Sequence, residues 1–389
     1  MIRSTTNGVL KNYRYNLQRS TLTRNKAQNT VLTQRNFNTF AEDPATASRC
    51  FQQRRSFLRT NSQYAVGESV ARKYDVAWAT LESVIQDVDN RKSDSALSEI
   101  IYAANGSTGA GRVPLGDSMV QMAEGIIQTM NTRYGDNYVF AGADGLNVPF
   151  TWEEGADGTK TLAYRGVSVE AAVPAADTTQ EVGQDGNPGT GFYALADGSG
   201  TISVADYEAA ASDAAKLKYM SEEEKKFADI GLGIQEEGGE LVESSAFNVA
   251  LQGINFLGYG TDADGDPKNI VSIMHRMGSI LQRCHPDSGT FASEEEETEF
   301  RRLFTKFEDA ADTLSRKHVE LDTEAEFLQS NQLQLEANAY TLQTQFLGVE
   351  DVDLAEAITS YSWAQFCYNS ALKVGNSILS ESLMDYLRL

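Results

Sequence analysis

The feature that most constrains this chain is a spacing. One apolar row runs Phe300, Phe307, Leu314, Leu321, Leu328, Leu335 and Leu342, each seven residues from the last. A second row, Phe304, Ala311, His318, Ala325, Gln332, Ala339 and Phe346, is offset from it by four. Steps alternating between four and three put both rows on one face of a helix, which is the seam of a coiled coil. At about 1.5 Å per residue such a helix extends roughly 70 Å. A helix of that length cannot wrap around a compact core, so it needs other long helices beside it.

Residues 44–90 supply the matching pattern. Val70, Tyr74, Ala77, Leu81, Val84 and Val88 again step by four and three, with Trp78 and Ile85 widening the stripe. Pro44 fits a first helical turn, and Asp43 before it fits the cap. A further amphipathic helix over 118–134 turns Met119, Met122, Ile126 and Met130 inward. The amino-terminal arm has a weaker stripe, Leu10, Tyr13 and Leu17, then Ala27 and Val31. At 347–353 the long seam loses phase, and a new register follows through Leu354, Ile358, Tyr361, Tyr368, Leu372, Leu379 and Leu383. Such a break predicts a boundary before a terminal helix. Between the long helices, residues 150–205 turn rich in Gly, Asp, Thr and Val, with strand-like "KTLAYRGVSVE" and turns such as "QDGNPG".

The predicted fold is mainly α with a β-rich insert, an α+β chain whose amino- and carboxy-terminal segments form a long antiparallel helical coiled coil. Five segments follow: a terminal helix over 1–43, the first half of the rod over 44–149, an outer β-rich insert over 150–235, the second half of the rod over 236–350 and a carboxy-terminal helix over 351–389. The two tails can pair with each other, and the long helices can pair inside them. The tails are expected to be disordered in a free subunit: Leu10, Tyr13 and Leu17 of the first offset little of the ~1–2 kcal/mol of backbone entropy per ordered residue, and the more apolar carboxy-terminal helix would expose its stripe to water alone.

Charge narrows the function classes. The formal net charge is -22, which repels nucleic acid and anionic membranes alike. Eleven of the 33 basic residues lie in the first 60 positions, opposed there only by Glu42 and Asp43. A basic arm on an acidic body suggests an assembly tail. Three scattered cysteines make no disulfide framework. No apolar run reaches the ~18 residues that would span a membrane, and the first residues lack the apolar core of a cleaved secretory signal.

Catalytic signals are poor. His275, His285 and His318 have no zinc-ligand spacing, and His318 sits on the seam. "TDADGDPKN" at 261–269 resembles a calcium loop, but counting from Asp262 the required glycine and acid are Pro267 and Ile273, which favours a plain surface turn. "GSTGAG" is not followed by the lysine of a phosphate loop. "EEEETE" at 294–299 suits a helix start. No cofactor, metal or catalytic residue is expected, and an enzyme is the least favoured class.

Four pieces of sequence carry a resemblance. "FAEDPATAS" (40–48, with Asp43 and Pro44), "AANGSTG" (103–109), "YGDNYVFAGADGLNVPF" (134–150) and "DVDLAEAITSYSWAQFCYNSALKVGNSIL" (351–379) are similar to segments of the flagellin superfamily. The third is the most specific. Asn137, Tyr138, Phe140, Ala141, Gly142, Pro149 and Phe150 fill the places typical of the family that joins flagellar hook to filament. The filament subunit, flagellin, is the alternative, and abundance in purified filaments would favour it. The resemblance covers residues 1–150 and about 240–389. The arginine-rich segment of many flagellins is replaced by "DVDNRKSDSALSEI", so recognition by an animal flagellin receptor is not implied, and "CFQQRRSFLR" (50–59) is also unusual.

The resemblance implies a non-enzymatic, self-assembling structural protein of the bacterial flagellum. It would be extracellular, secreted unfolded through the flagellar type III apparatus without a cleaved signal. Its partners would be itself in a helical ring, the preceding hook-associated protein, flagellin and an export chaperone, with no nucleic acid or membrane. The inner tube would be built on Leu10, Tyr13, Leu17, Ile358, Tyr361, Leu372, Leu379 and Leu383. The surrounding shell would be built on the seam of Leu81, Phe307, Leu314, Leu321, Leu328, Leu335 and Leu342.

Overall fold

The structure is a computed structural model that describes residues 6–89, 96–105, 111–154, 160–184, 189–195 and 200–386. It is mainly helical with a set of small sheets, as the patterning predicts. The chain divides into two compact units: residues 1–64 with 333–389, and residues 65–332. Two helices, α2 (Pro44–Asp89) and α8 (Glu294–Glu350), contribute to both.

In the first unit the two tail helices, α1 (Thr6–Thr33) and α9 (Leu354–Tyr386), pack against each other. The start of α2 is where Asp43 and Pro44 put it: the Asp43 carboxylate accepts from the Thr46 amide at 3.1 Å, closing one of the open amides of the first turn. The Thr46 hydroxyl first, and then this amide, hold the Asp43 carboxyl below its ordinary range. The phase break also has a physical cause. Gln34 takes a left-handed backbone (φ 56°) that ends α1. The chain then clips onto the end of α8, with the Asn36 amide donating to Glu350 O at 2.8 Å and the Val352 amide to Gln34 O at 3.2 Å. Asp353 caps α9 by accepting from the Ala355 amide at 2.8 Å. Beside this clip, α2 and α8 meet in antiparallel order, Cys50 near Glu350 and Phe57 against Phe346.

In the second unit the same two helices continue antiparallel, with Gly67 facing Gln332 and Trp78 stacked on His318 at 5.0 Å. The predicted seam residues Leu81, Phe307, Leu314, Leu321 and Leu328 are buried here, as is Leu335 in the first unit, where Leu342 is half-buried. Leu328→Ala should therefore cost about 2–5 kcal/mol. Gln332→Leu should be neutral or stabilising, because Gln332 Nε2 is buried with no hydrogen-bond partner among the described residues. Denaturant melts of the two variants check both; equal small effects would show that the seam is not a core.

Two short helices, α3 (Ala96–Asn105) and α4 (Arg112–Met130), follow α2. The amphipathic helix read over 118–134 is α4, which ends at Met130. It shares the core of the long seam, yet its close partner is α7 (Ile270–Gln282). The two cross where both lack a side chain: a Cβ on Gly116 would lie 2.6 Å from Gly278 O. Residues 243–257 form a single 3-10 turn, two short strands and then α6 (Gly253–Leu257).

The insert does not begin where the composition changes. Strands β4 (Phe150–Glu154), β5 (Lys160–Tyr164) and β6 (Val167–Ser168) form an antiparallel sheet whose Phe150, Leu162, Tyr164 and Val167 belong to the same core as the long helices. Leu217 and Met220, on and just after α5 (Val204–Lys218), also reach that core. The sheet of β7 (Ala176–Val182), β8 (Phe192–Leu195) and β9 (Thr201–Ser203) contributes none of its described residues to it. A sheet with one face against helices reads as turn-rich and polar in composition, which is why the boundary at 149/150 looked like a domain edge.

Candidate functional site

The residues singled out by the sequence fall in two places. Those of the tails meet in the α1–α9 pair. Leu10, Tyr13, Leu17 and Tyr361 are half-buried between the helices, while Ile358 and Leu372 are exposed on the other side of α9. The side chains of Leu379 and Leu383 lie outside the described residues. The inner face of α9 is built of small residues, Ala357, Ala364 and Gly375, all buried. The Tyr13 ring lies where a Cβ on Gly375 would be, and the Arg24 guanidinium sits 4.3 Å over the Tyr368 ring. The bulky residues of α1 thus meet the small ones of α9. The register through Leu354, Ile358 and Leu372 is corrected accordingly.

That choice leaves the larger apolar side chains of α9 outside. Trp363 and Phe366, 64% and 61% exposed, touch each other at 5.6 Å on the open face. Leu22 and Leu32 are exposed on α1. The sequence reading missed this pair of aromatics because it followed the row with the largest leucines. The spacing of Ala357, Ala364 and Ala371, seven apart, was the signal for the inner face. At the base of the pair, buried Glu350 is held by Arg35 at 3.2 Å and Arg54 at 3.4 Å. Burial and the neighbouring Glu350 charge push the Cys50 thiol up and keep it protonated.

The family-like motif lies in the second unit and organises its core. Strand β1 (Arg133–Tyr134) turns through Gly135 and Asp136 into β2 (Asn137–Tyr138), and the Tyr138 amide donates to Gly145 O at 2.7 Å. Asn137 is exposed and fits against Gly145, which has no room for a Cβ. Phe140 is fully buried against Phe256, and its carbonyl accepts from Tyr164 Oη and from the Gly253 amide, both at 2.9 Å. Ala141 and Gly142 form β3, paired with Leu251 and Gln252. Gly142 needs its glycine, with φ at 73°. Pro149 and Phe150 are buried, and Asn131 bonds both the amide and the carbonyl of Phe150. These contacts are architectural.

The calcium-like loop takes a different form from the plain turn expected. Asp262, Asp264 and Asp266 do converge, with ligand atoms within 4.8 Å of one another. Their counter-charge comes from α8: Lys306 Nζ lies 2.5, 2.9 and 2.6 Å from the three carboxylates. Arg302 adds two bonds to the fully buried Asp266, at 2.6 and 3.0 Å. The histidines lie apart. His275 stacks on Trp152 at 4.8 Å, His318 packs on Trp78, and His285 is exposed. Burial and nearby Lys160 lower the His275 pKa, so the ring is neutral near pH 7. No helix among the described residues is long and apolar enough to cross a membrane.

No protein-family model matches the sequence, and no curated protein is significantly similar to it. Solved structures do match. One, from Vibrio parahaemolyticus and assigned as a flagellar hook-associated protein, superposes with a TM-score of 0.50 at 10% identity. The match covers 79% of this chain and 99% of the other. At that identity the likeness is one of fold.

Proposed function

We propose that this chain is a structural subunit of the bacterial flagellum that joins hook to filament by helical self-assembly. The observation that carries the reading is the paired terminal helices with Trp363, Phe366, Leu22 and Leu32 left in water. Apolar area of that kind gains about 25 cal/mol per Å² on burial, and a neighbouring copy in a ring would provide it. The shared fold and the motif from Asn137 to Phe150 support the same assignment. In this reading the subunit is extracellular, carries no catalytic centre, and reaches its place through the flagellar export apparatus with a chaperone on α9. It contacts the preceding hook-associated protein on one side and flagellin on the other.

Imaging cells that lack the gene tests this. Hooks without filaments, with flagellin shed into the medium, are expected. Missing filaments with no shed flagellin would assign the chain as flagellin itself, and intact filaments would refute both roles.

A further inference from the structure

One cavity of the second unit is lined by two lysines that nothing in the assembly reading uses. Lys73, on α2, is half-buried, and its ammonium makes one hydrogen bond, to Val249 O at 2.8 Å. An ammonium carries three donors, and among the described residues no carboxylate lies within ion-pair distance of Lys73. The Lys226 backbone brackets the same Val249, whose amide donates to Lys226 O at 2.7 Å. The Lys226 side chain likewise has no ion pair among the described residues. Both lysines line one cavity of about 330 Å³ with Asn137 and Tyr138 of the hairpin. Its other titratable wall groups are Tyr134, Tyr138 and Asp136. Lys73, half-buried, keeps donors that no described protein group takes, which costs free energy unless water or an anion completes them, and the exposed Lys226 adds a second positive charge to the same wall.

We propose that this cavity is a binding site for a small oxyanion, a phosphate or a carboxylate, held between the ammonium groups of Lys73 and Lys226 with the hairpin residues Asn137 and Tyr138 beside it. Charge-assisted bonds to both lysines would use the free donors of Lys73 and relieve the repulsion between the two. Burial first, and then the Lys226 charge, lower the pKa of Lys73 to about 8, so a bound anion must raise it. The Asp136 carboxylate lines the same cavity and weakens binding by repelling the ligand.

The test titrates the full-length monomer at pH 7 and low ionic strength with inorganic phosphate, and separately with acetate as a stand-in for a side-chain carboxylate. Sodium chloride at matched ionic strength is the control. Calorimetry should detect saturable binding, and NMR of isotope-labelled lysines should show the Lys73 pKa rising with it. Lys226→Met, at an exposed position, should weaken binding by roughly tenfold without altering the melting transition. Lys73→Met should remove binding. Preference for phosphate would identify a free phosphate-type ligand, and equal response to acetate a carboxylate such as a neighbour's side chain. A Lys73 pKa that does not rise in either anion, or binding unchanged in Lys226→Met, overturns the proposal.

Discussion

Replacing Asp266 with alanine is expected to destabilise the second unit by about 3–5 kcal/mol, the cost of removing one partner from a buried ion pair. Asp266 is 0% exposed and is shared by Arg302, Lys306 and, at 3.6 Å, Arg276. Its loss leaves Lys306 facing only Asp262 and Asp264, and Arg302 facing no carboxylate that the structure otherwise gives it. Asp264→Ala, at the exposed end of the same cluster, should cost far less, about 0–1 kcal/mol. Denaturant melts of the two variants give the comparison, and similar losses would mean that burial is not what makes the cluster matter.

The same cluster sets a direction with pH. Burial opposes ionisation of Asp266, but hydrogen bonds from Arg302 and Lys306 outweigh it and hold its carboxyl below the ordinary aspartate range. Asp262 is lowered in the same way by Lys306 and by the amides of its own turn. A carboxyl depressed in the folded state contributes stability that is complete above its unfolded value of ~3.9 and disappears as pH falls through the folded one. Acid unfolding below about pH 4 should therefore be shallower in Asp266→Asn than in the parent chain. Parallel acid curves would assign the acid sensitivity to other carboxylates.

A chain ending at Asp353 is expected to lose incorporation into assemblies altogether while the melting transition of the second unit stays where it was. The seam contacts around Leu314, Leu321 and Leu328 lie within residues 65–332 and make no use of α9. Without α9, the bulky residues Leu10, Tyr13 and Leu17 of α1 lose their partner, and an isolated helix with so weak a stripe is not stable. Circular dichroism should fall by more than the 33 residues of α9 alone, because α1 unfolds with it. In the intact monomer, amides of α1 and α9 should exchange faster than those of α8, since small residues and half-buried tyrosines make a thin interface. Incorporation of the truncated chain, or a shifted melt of the second unit, would count against both the assembly role and the independence of the two units.

Local regularities carried over from sequence to structure. The heptad of leucines and the Asp43 cap with Pro44 each depend on a few neighbouring residues and the geometry of one helix, so the chain itself determines them. The position of the break at 347–353 was legible, but the clip of residues 34–36 that accompanies it was not. The packing within the motif from Asn137 to Phe150 was less legible. Its residues could be aligned with a family pattern, but that Phe140 O accepts bonds from Tyr164, 24 residues on, and from Gly253, and that Gly253 is empty to admit Phe150, depends on segments distant in sequence.

What only the tertiary structure decided has one common cause: each is a choice among surfaces that look alike along the chain. Both faces of α9 are apolar enough to be a seam, and the size of the residues on α1 selects the small one, leaving Trp363 and Phe366 outside. The aspartates at 262–266 read as a turn or a metal loop until Lys306, some forty residues later, supplies the cation. The sheet from Phe150 to Ser168 reads as an insert until the long helices cover one of its faces. Periodicity records how often a residue returns to a face, while the identity of whatever covers that face is set by chain segments far away in sequence.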